Sequence, residues 1–308
     1  MSATGGRPNL HSTGAVKPQI EIELGEAWPG RGIVARMSPI DDRVQAFRVL
    51  HATGCFVMPN PWDVGSARYL VGLGFRALAT TSSGFAWSLG RSDNSVTLDE
   101  ALAHMTSIAE SVELPINADF EGGFAIEPEA VAANIARAMT TGIAGISIED
   151  STGDADDPLF EFALAVERVR AARRAIDASG KGVLLTGRSE GFIVGRPDLA
   201  ETIRRLTAYA EAGADCLYAP GLPSMADITA VVGAVAPKPV NVLVGSNTRT
   251  VVELADAGVR RISVGGALAR AAWGGFIRAA TEIAEDGTFG GFADAVPFAE
   301  IDGAFGRG

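Results

Sequence analysis

From about residue 54, short apolar runs alternate with longer stretches in which apolar residues recur at helical spacing. The short runs are CFVM (55–58), RALAT (76–80), LPINAD (114–119), AGISIE (144–149), GVLLTGR (182–188), ADCLYA (214–219), PVNVLV (239–244) and RISVG (261–265). The helical stretches follow at about 63–73, 97–111, 127–141, 160–178, 198–212, 224–235, 247–257 and 267–285. This alternation is typical of βα units around a parallel sheet.

Eight strands, each followed by a helix, favour the α/β class and a closed (β/α)₈ TIM-type barrel. An open doubly wound sheet is the alternative, but no GxGxxG motif follows the first strand, which weakens its dinucleotide-binding form. We predict one barrel domain with a C-terminal tail over residues 41–308. Residues 1–40 are rich in Gly, Pro, Ser and Thr, which indicates a partly disordered extension.

Several element ends carry their own sequence signals. Gly74, Gly142, Gly213 and Gly258 each stand where a helix ends before the next strand. Thr97 and Glu100 have the spacing of a capping box and predict the start of a helix.

Composition restricts the function classes. Hydrophobic residues make up 47% of the chain and charged residues 20%, as in an ordinary globular protein. The net charge of −11 argues against a nucleic-acid or anionic-membrane partner, which would need a basic face. The chain has neither an apolar run long enough to span a membrane nor the apolar core of a signal peptide, so we expect a cytoplasmic protein. Cys55 and Cys216 lie in apolar runs, which favours buried free thiols over a disulfide.

Acidic residues follow the third predicted strand. They would lie at the C-terminal ends of the strands, where barrels of this kind carry out their chemistry. Asp119 ends this strand, and Glu121 follows in ADFEGGF. If the extended path continues, both side chains lie on one face, toward the barrel mouth. Two close carboxylates repel each other, and Mg²⁺ or Mn²⁺ prefers such oxygen ligands. The alternative is a solvated loop with two unrelated acids.

Two neighbouring segments add acids to this cluster. Glu149 and Asp150 end the fourth strand, and alternation turns one of them inward, for which we choose Glu149. Asp150 then caps the following loop. Asp93 closes the segment after the second strand and could join the same cluster.

The fifth strand ends in Arg188, whose planar guanidinium suits a carboxylate or phosphate. A structural ion pair with Glu190 or Glu149 is the competing interpretation. After the second strand, Ser82, Ser83 and Gly84 can present hydroxyls and N–H groups to an oxyanion, although an ordinary surface turn explains them equally well.

With these residues the chain resembles the isocitrate lyase/phosphoenolpyruvate mutase superfamily over residues 54 to 285. The resemblance rests on SSGFAWSLGRSD, ADFEGGF, GISIED and GRSEGF, in this order along the barrel. It implies a Mg²⁺-dependent (or Mn²⁺-dependent) enzyme that forms the enolate of a keto acid such as pyruvate. It also implies a homo-oligomer, a dimer or tetramer, in which a C-terminal helix after residue 267 swaps between subunits.

The resemblance also implies roles for individual residues. Asp119 would bind the metal most directly, and three further acids would hold it partly through water. The keto-acid oxygens would meet the segment after the second strand, and a basic residue would contact the substrate. The residues concerned are Asp93, Glu121 and Glu149 for the metal, and Ser83, Gly84, Phe85 and Arg188 for the substrate.

The chain departs from the best-known members in two places. The segment IEDSTGDADDPLFEF carries no Cys, His or Lys, and YAPG stands around Pro220 where a Glu is expected. These departures argue against isocitrate lyase, methylisocitrate lyase and phosphoenolpyruvate mutase. They leave Glu190, Tyr218 and Asp154 as candidates for the general acid or base. Asn241 either donates to the substrate or satisfies polar groups near the mouth.

Three hypotheses follow. The leading one is a carbon–carbon bond lyase that acts on a small anionic 2-hydroxy or 2-oxo acid. The second is phosphorus–carbon bond chemistry, as in a phosphonomutase or phosphonopyruvate hydrolase. The third is a binding barrel that lost its general acid.

Overall fold

A computed structural model of the 308-residue chain describes residues 39–246 and 249–306. The predicted extension therefore falls outside the described residues, apart from its last two positions. The strands are β1 (Phe56–Met58), β2 (Leu78–Ala79), β3 (Ile116–Asp119), β4 (Gly145–Glu149), β5 (Leu184–Arg188), β6 (Cys216–Tyr218), β7 (Val240–Leu243) and β8 (Arg261–Ser263). They form one parallel sheet in the order β1-β8-β7-β6-β5-β4-β3-β2.

The seam between β1 and β2 is joined by a few specific hydrogen bonds. The amide of Ala79 donates to the carbonyl of Pro59 at 3.0 Å. The side chain of Asn60 donates to the carbonyl of Thr80 at 2.8 Å and accepts the amides of Val264 and Gly265, each at 2.9 Å. The sheet is thereby nearly closed, and the predicted TIM-type barrel is confirmed.

The helices lie between and around the strands. They are α1 (Pro39–Ala52), α2 (Val64–Gly72), α3 (Ser82–Ser88), α4 (Leu98–Ser111), α5 (Pro128–Ala138), α6 (Phe162–Ser179), α7 (Leu199–Glu211), α8 (Met225–Val235), α9 (Val251–Asp256), α10 (Ala267–Asp286) and α11 (Phe298–Phe305). The eight predicted helices correspond to α2 and α4 to α10. Among the described residues no helix is long and apolar enough to cross a membrane.

Local signals explain where these helices begin and end. Thr97 and Glu100 form the predicted capping box at the start of α4. The four glycines predicted at helix ends all have positive φ, between 85° and 106°, a conformation that a residue with a Cβ rarely adopts. Three helices were not predicted, namely α1, α3 and α11. The interpretation of residues 82–88 as a loop is wrong, because Thr81 caps α3 by accepting the amide of Gly84.

The unpredicted helix α1 packs against the barrel interior below β4. Phe47 is completely buried. A Cβ added to Gly145 would lie 2.5 Å from Phe47 Cε1 and 2.7 Å from Asn117 Oδ1. The absence of a side chain at the start of β4 therefore makes the room that the Phe47 ring occupies.

The lumen above Phe47 is polar. Barrel interiors of this fold are usually filled by bulky branched apolar side chains. Here buried polar side chains from five of the strands, β3, β4, β5, β7 and β8, share the interior: Asn117, Ser147, Thr186, Asn241, Arg261 and Ser263. Alternate positions such as Ile146, Leu185 and Ile262 belong to the hydrophobic core instead. The strands thus keep the expected period of two while presenting a polar face to the centre.

The two cysteines do not form a disulfide with each other. Cys216 is a buried free thiol, and Cys55 is a half-buried one.

The contact between Gly145 and Phe47 predicts a specific stability effect. We expect Gly145→Ala to lower the free energy of unfolding by about 1–3 kcal/mol, because the new methyl group overlaps a buried ring. Gly233→Ala is the matched control: it lies on the exposed side of α8, and its added methyl meets nothing within 4 Å. We expect this control to be stabilised by about 0.5–1 kcal/mol through helix propensity. Urea unfolding measures both changes, and equal stabilities of the two variants would contradict the packing described.

Candidate active site at the barrel mouth

Arg188, the last residue of β5, binds acidic side chains from three places in the chain. Its NH1 group lies 3.3 Å from Asp119 Oδ1 and 3.0 Å from Glu149 Oε2. Its Nε donates to Glu190 Oε1. Parallel strands end at the same rim of the barrel, which is why the ends of β3, β4 and β5 meet here.

The acids around Arg188 outnumber it. Asp93, Asp119, Glu121, Glu149 and Glu190 interact with one another and with this single guanidinium. Burial is the largest cause that raises the pKa of Asp93, of Glu149, of Glu190 and of Glu121, the last to about 7. The Arg188 charge opposes each of these shifts, and neighbouring carboxylates add to them. The site is therefore short of positive charge.

Asp119 is held rigidly among these acids. Its Oδ2 accepts both the backbone amide and the hydroxyl of Ser82, each at 3.1 Å. Its own amide donates to Thr80 Oγ1 at 2.9 Å. The N-terminal turn of α3 thus fixes the Asp119 carboxylate.

Glu121 reaches the cluster by a route that differs from the prediction. The extended path stops at Asp119, and Glu121 adopts φ +46° in a tight turn whose Gly123 amide donates to the Phe120 carbonyl. The expectation of a continuing strand is therefore wrong. Glu121 nevertheless lies close enough to Asp119 and Asp93 for their charges to raise its pKa.

The side chains of Glu149 and Asp150 lie on opposite sides of the strand end, as alternation predicts. Glu149 faces Arg188. Asp150 is buried on the other side, where it accepts the Glu190 amide at 2.8 Å and the Tyr209 hydroxyl at 2.6 Å. It also pairs with Arg205 at 3.1 Å, so it anchors α7 to the sheet.

The donor set suits a hard divalent cation, since it consists of carboxylate oxygens with an excess of negative charge. Within residues 39–246 and 249–306, however, no three His, Cys, Asp or Glu side chains converge closely enough to enclose a metal ion. Arg188 lies among the carboxylates instead. The chemistry of the residues therefore fits a hard cation, while their spacing in this structure does not enclose one.

A cavity of about 220 Å³ opens beside these residues and extends into the polar lumen. Seven of the residues predicted for the site line it: Ser82, Ser83, Asp93, Asp119, Arg188, Tyr218 and Asn241. Gly84, Phe85, Glu121, Glu149 and Glu190 are not among its lining residues.

The structure gives physical reasons for two of these placements. The Gly84 amide is used by the cap of α3, and the Phe85 ring stacks on His104 with the ring centroids 3.8 Å apart. Neither group is directed at the cavity.

Asn60, Arg261 and Ser263 also line the cavity but were not predicted from the sequence. A signal for two of them was present. Arg261 and Ser263 are two residues apart in the RISVG run, so a strand that turns one inward turns the other inward too.

The described geometry agrees with comparisons to known proteins. The family model described as phosphoenolpyruvate phosphomutase matches residues 47–284. The chain belongs to this family. The expected place in the isocitrate lyase/phosphoenolpyruvate mutase superfamily is thereby confirmed, and members of the superfamily are lyases or mutases that act on small organic acids.

Three individual proteins illustrate what the chain is similar to. A candidate lyase/mutase of Burkholderia cenocepacia has 47% identity and a TM-score of 0.84, over 87% of this chain and 98% of that one. An uncharacterized protein of Mycobacterium tuberculosis is 33% identical over 222 residues, which are 71% of this chain and 81% of that protein. An oxaloacetate decarboxylase of Bradyrhizobium diazoefficiens is 28% identical over 197 residues, 60% of this chain and 65% of the enzyme.

The raised pKa of Glu121 predicts a pH dependence of stability in metal-free protein. Between its ordinary pKa of 4.5 and about 7, the folded chain keeps a proton that the unfolded chain has lost. Stability therefore falls as pH rises through this window. We expect Glu121→Gln, which has no carboxylate to ionise, to lose less stability than wild type between pH 5 and pH 8 in EDTA.

Urea unfolding at the two pH values measures this difference. Glu113→Gln, at an exposed position before β3, is the control and should follow the wild-type pH dependence. If Glu121→Gln also follows the wild-type pH dependence, a raised pKa of Glu121 is contradicted.

Proposed function

We propose that the chain is a Mg²⁺-dependent carbon–carbon bond lyase that acts on a small 2-hydroxy or 2-oxo dicarboxylic acid. The observation that carries the proposal is the excess of acids around Arg188 at the edge of a 220 Å³ cavity, a volume suited to a small acid. The similarity to an oxaloacetate decarboxylase supports it, because oxaloacetate is a 2-oxo dicarboxylic acid.

Under this proposal Asp119 is the most direct metal ligand, since its carboxylate is fixed by Ser82 at the cavity wall. Asp93, Glu121 and Glu149 would help Asp119 to hold the ion. A bound Mg²⁺ (or Mn²⁺) supplies positive charge for an enolate-forming substrate. The same charge would allow the buried acids to ionise together.

Arg188 binds a substrate carboxylate from the cavity wall. Its Nε is held by Glu190, which is almost fully buried and does not line the cavity. We therefore assign Glu190 the role of orienting Arg188 in place of direct proton transfer. Ser82 and Ser83 present hydroxyls at the same wall, where they can donate to substrate oxygens.

Phosphorus–carbon bond chemistry is the second candidate, favoured by the description of the matching family as phosphoenolpyruvate phosphomutase. Phosphorus NMR of mixtures with phosphoenolpyruvate and phosphonopyruvate distinguishes the two. Interconversion or phosphate release would favour this candidate over the lyase, and unchanged spectra would dismiss it.

The lyase proposal predicts the effect of removing one carboxylate. Wild type with Mg²⁺ should release pyruvate or glyoxylate from a member of a panel of 2-hydroxy and 2-oxo dicarboxylic acids. We expect Asp119→Asn to lower kcat/KM by about a hundredfold or more, because charge stabilisation at the reacting oxygens is lost. Asp99→Asn, at an exposed ion pair with Arg137, is the control and should keep full activity.

The melting temperature in Mg²⁺ tests the metal site separately. We expect Mg²⁺ to raise it for wild type and Asp99→Asn but not for Asp119→Asn. Stabilisation by Mg²⁺ without turnover on any panel member would favour the non-catalytic binding barrel and count against the lyase.

We also propose that the chain forms a homo-oligomer through its C-terminal region. Large apolar side chains are exposed from α10 to α11: Leu268, Trp273, Phe276, Ile277, Ile283, Phe289, Phe292, Val296, Phe298, Ile301 and Phe305. So large an apolar surface is unusual for a monomer and is typical of an interface.

Light scattering after size exclusion tests this proposal. Wild type should show a multiple of the 31.9 kDa chain mass, and Phe276→Glu should shift it toward one chain. Val49→Glu, at an apolar residue of α1 exposed to a similar degree, is the control and should keep the wild-type mass. A wild-type mass of one chain would contradict the proposal.

A further inference from the structure

Arg261 is almost completely buried at the start of β8, in the floor of the cavity. Its guanidinium donates to Asn241 Oδ1 at 2.9 Å and to Thr186 Oγ1 at 3.0 Å. It also lies 3.4 Å from Asn117 Oδ1 and 3.3 Å from His51 Nε2. All four of these acceptors are neutral groups, so dipoles surround the buried charge.

His51 is held in one protonation state by this arrangement. Its Nδ1 lies 2.7 Å from the Phe47 carbonyl, which can only accept, so Nδ1 carries the proton and Nε2 accepts from Arg261. Burial first and the Arg261 charge second lower the pKa of His51 to about 3, which keeps the ring neutral.

Arg261 fixes the direction of a chain of hydrogen bonds because a guanidinium only donates. The Asn241 carbonyl must face Arg261, so the Asn241 amide group donates away from it, to Ser263 Oγ at 2.9 Å. The Ser263 oxygen is then an acceptor, so the Ser263 proton is left for another partner, and Tyr218 is a neighbouring hydroxyl.

Tyr218 follows Ser263 in this series of polar groups and lies at the cavity. A Tyr218 oxygen that accepts from Ser263 would keep its own proton for a partner in the space that both residues line. The Arg188 guanidinium lies 5.2 Å from the centre of the Tyr218 ring, so the substrate-binding cation and the phenol share one wall.

We propose that the Tyr218 hydroxyl donates a hydrogen bond to the negatively charged oxygen of the bound substrate, and that Arg261 positions it through Asn241 and Ser263. This inference rests on the proposed function and adds a specific donor to it. Burial raises the pKa of Tyr218 to about 12, so the phenol keeps its proton at neutral pH and acts as a donor without being deprotonated.

The relay can be tested without ligand. The chain has three tyrosines, so protein labelled with 3-fluorotyrosine should give three ¹⁹F resonances, and Tyr218→Phe identifies one of them. We expect Ser263→Ala and Arg261→Lys to shift this resonance and to leave that of the exposed Tyr69 in place. Ser263→Ala is the smaller change, since it removes one oxygen atom. It therefore still tests the relay if Arg261→Lys fails to fold. An unshifted Tyr218 resonance in Ser263→Ala would overturn the relay.

Donation to the substrate is tested with oxalate, a stable dianion of the enolate's shape, in the presence of Mg²⁺. Calorimetry should show that Tyr218→Phe and Ser263→Ala each bind oxalate about tenfold more weakly than wild type, the usual loss for one hydrogen bond to a charged group. The double variant should lose no more than Tyr218→Phe alone, because Ser263 acts only through the Tyr218 donor that this variant already lacks. Tyr69→Phe is the control and should bind as wild type does.

The outcomes separate the two proposals. Wild-type affinity in Tyr218→Phe, or losses that add in the double variant, would overturn the role of Tyr218 and leave the lyase proposal standing. A wild type that binds oxalate in neither Mg²⁺ nor Mn²⁺ would overturn the proposed function together with the donation step.

Discussion

The mouth of this barrel depends on one guanidinium that must serve several carboxylates. Arg188 contacts Asp119, Glu149 and Glu190, which come from the ends of β3 and β4 and from just after β5. Burial makes each unpaired negative charge costly in free energy. One guanidinium neutralises only part of the negative charge at these strand ends. The same deficit of positive charge is the basis on which a cation site is proposed at this mouth.

The interior below the mouth is arranged around a second arginine. Arg261 takes the central space that branched apolar side chains usually fill, and polar groups on β3, β5 and β7 accept from it. Its neighbours are hydrogen-bonded in a fixed sense, since arginine offers no acceptor. The barrel core therefore does two things at once, packing the centre and orienting groups that face the cavity.

Much of the architecture could be predicted from the sequence, because strands of this fold follow an apolar pattern that helical stretches interrupt. Acids after β3 and β4 stood out since an apolar core cannot explain them. The turn at Glu121 could not be predicted, because its positive φ is set by contacts that a pattern does not show. Helix α3 was mistaken for a loop, as its serines and glycine are typical of turns. Arg261 was missed because it directly follows Arg260, and a pair of charges at a strand start resembles surface residues.

The glycine at the start of β4 has a consequence for how this barrel could be rearranged. Gly145 admits Phe47, and one turn further along α1 His51 offers its lone pair to Arg261. The floor of the cavity is thus completed by a segment that precedes the first strand. A graft of the eight βα units alone, without α1, would carry over every strand-end acid and still deliver a barrel open at its base.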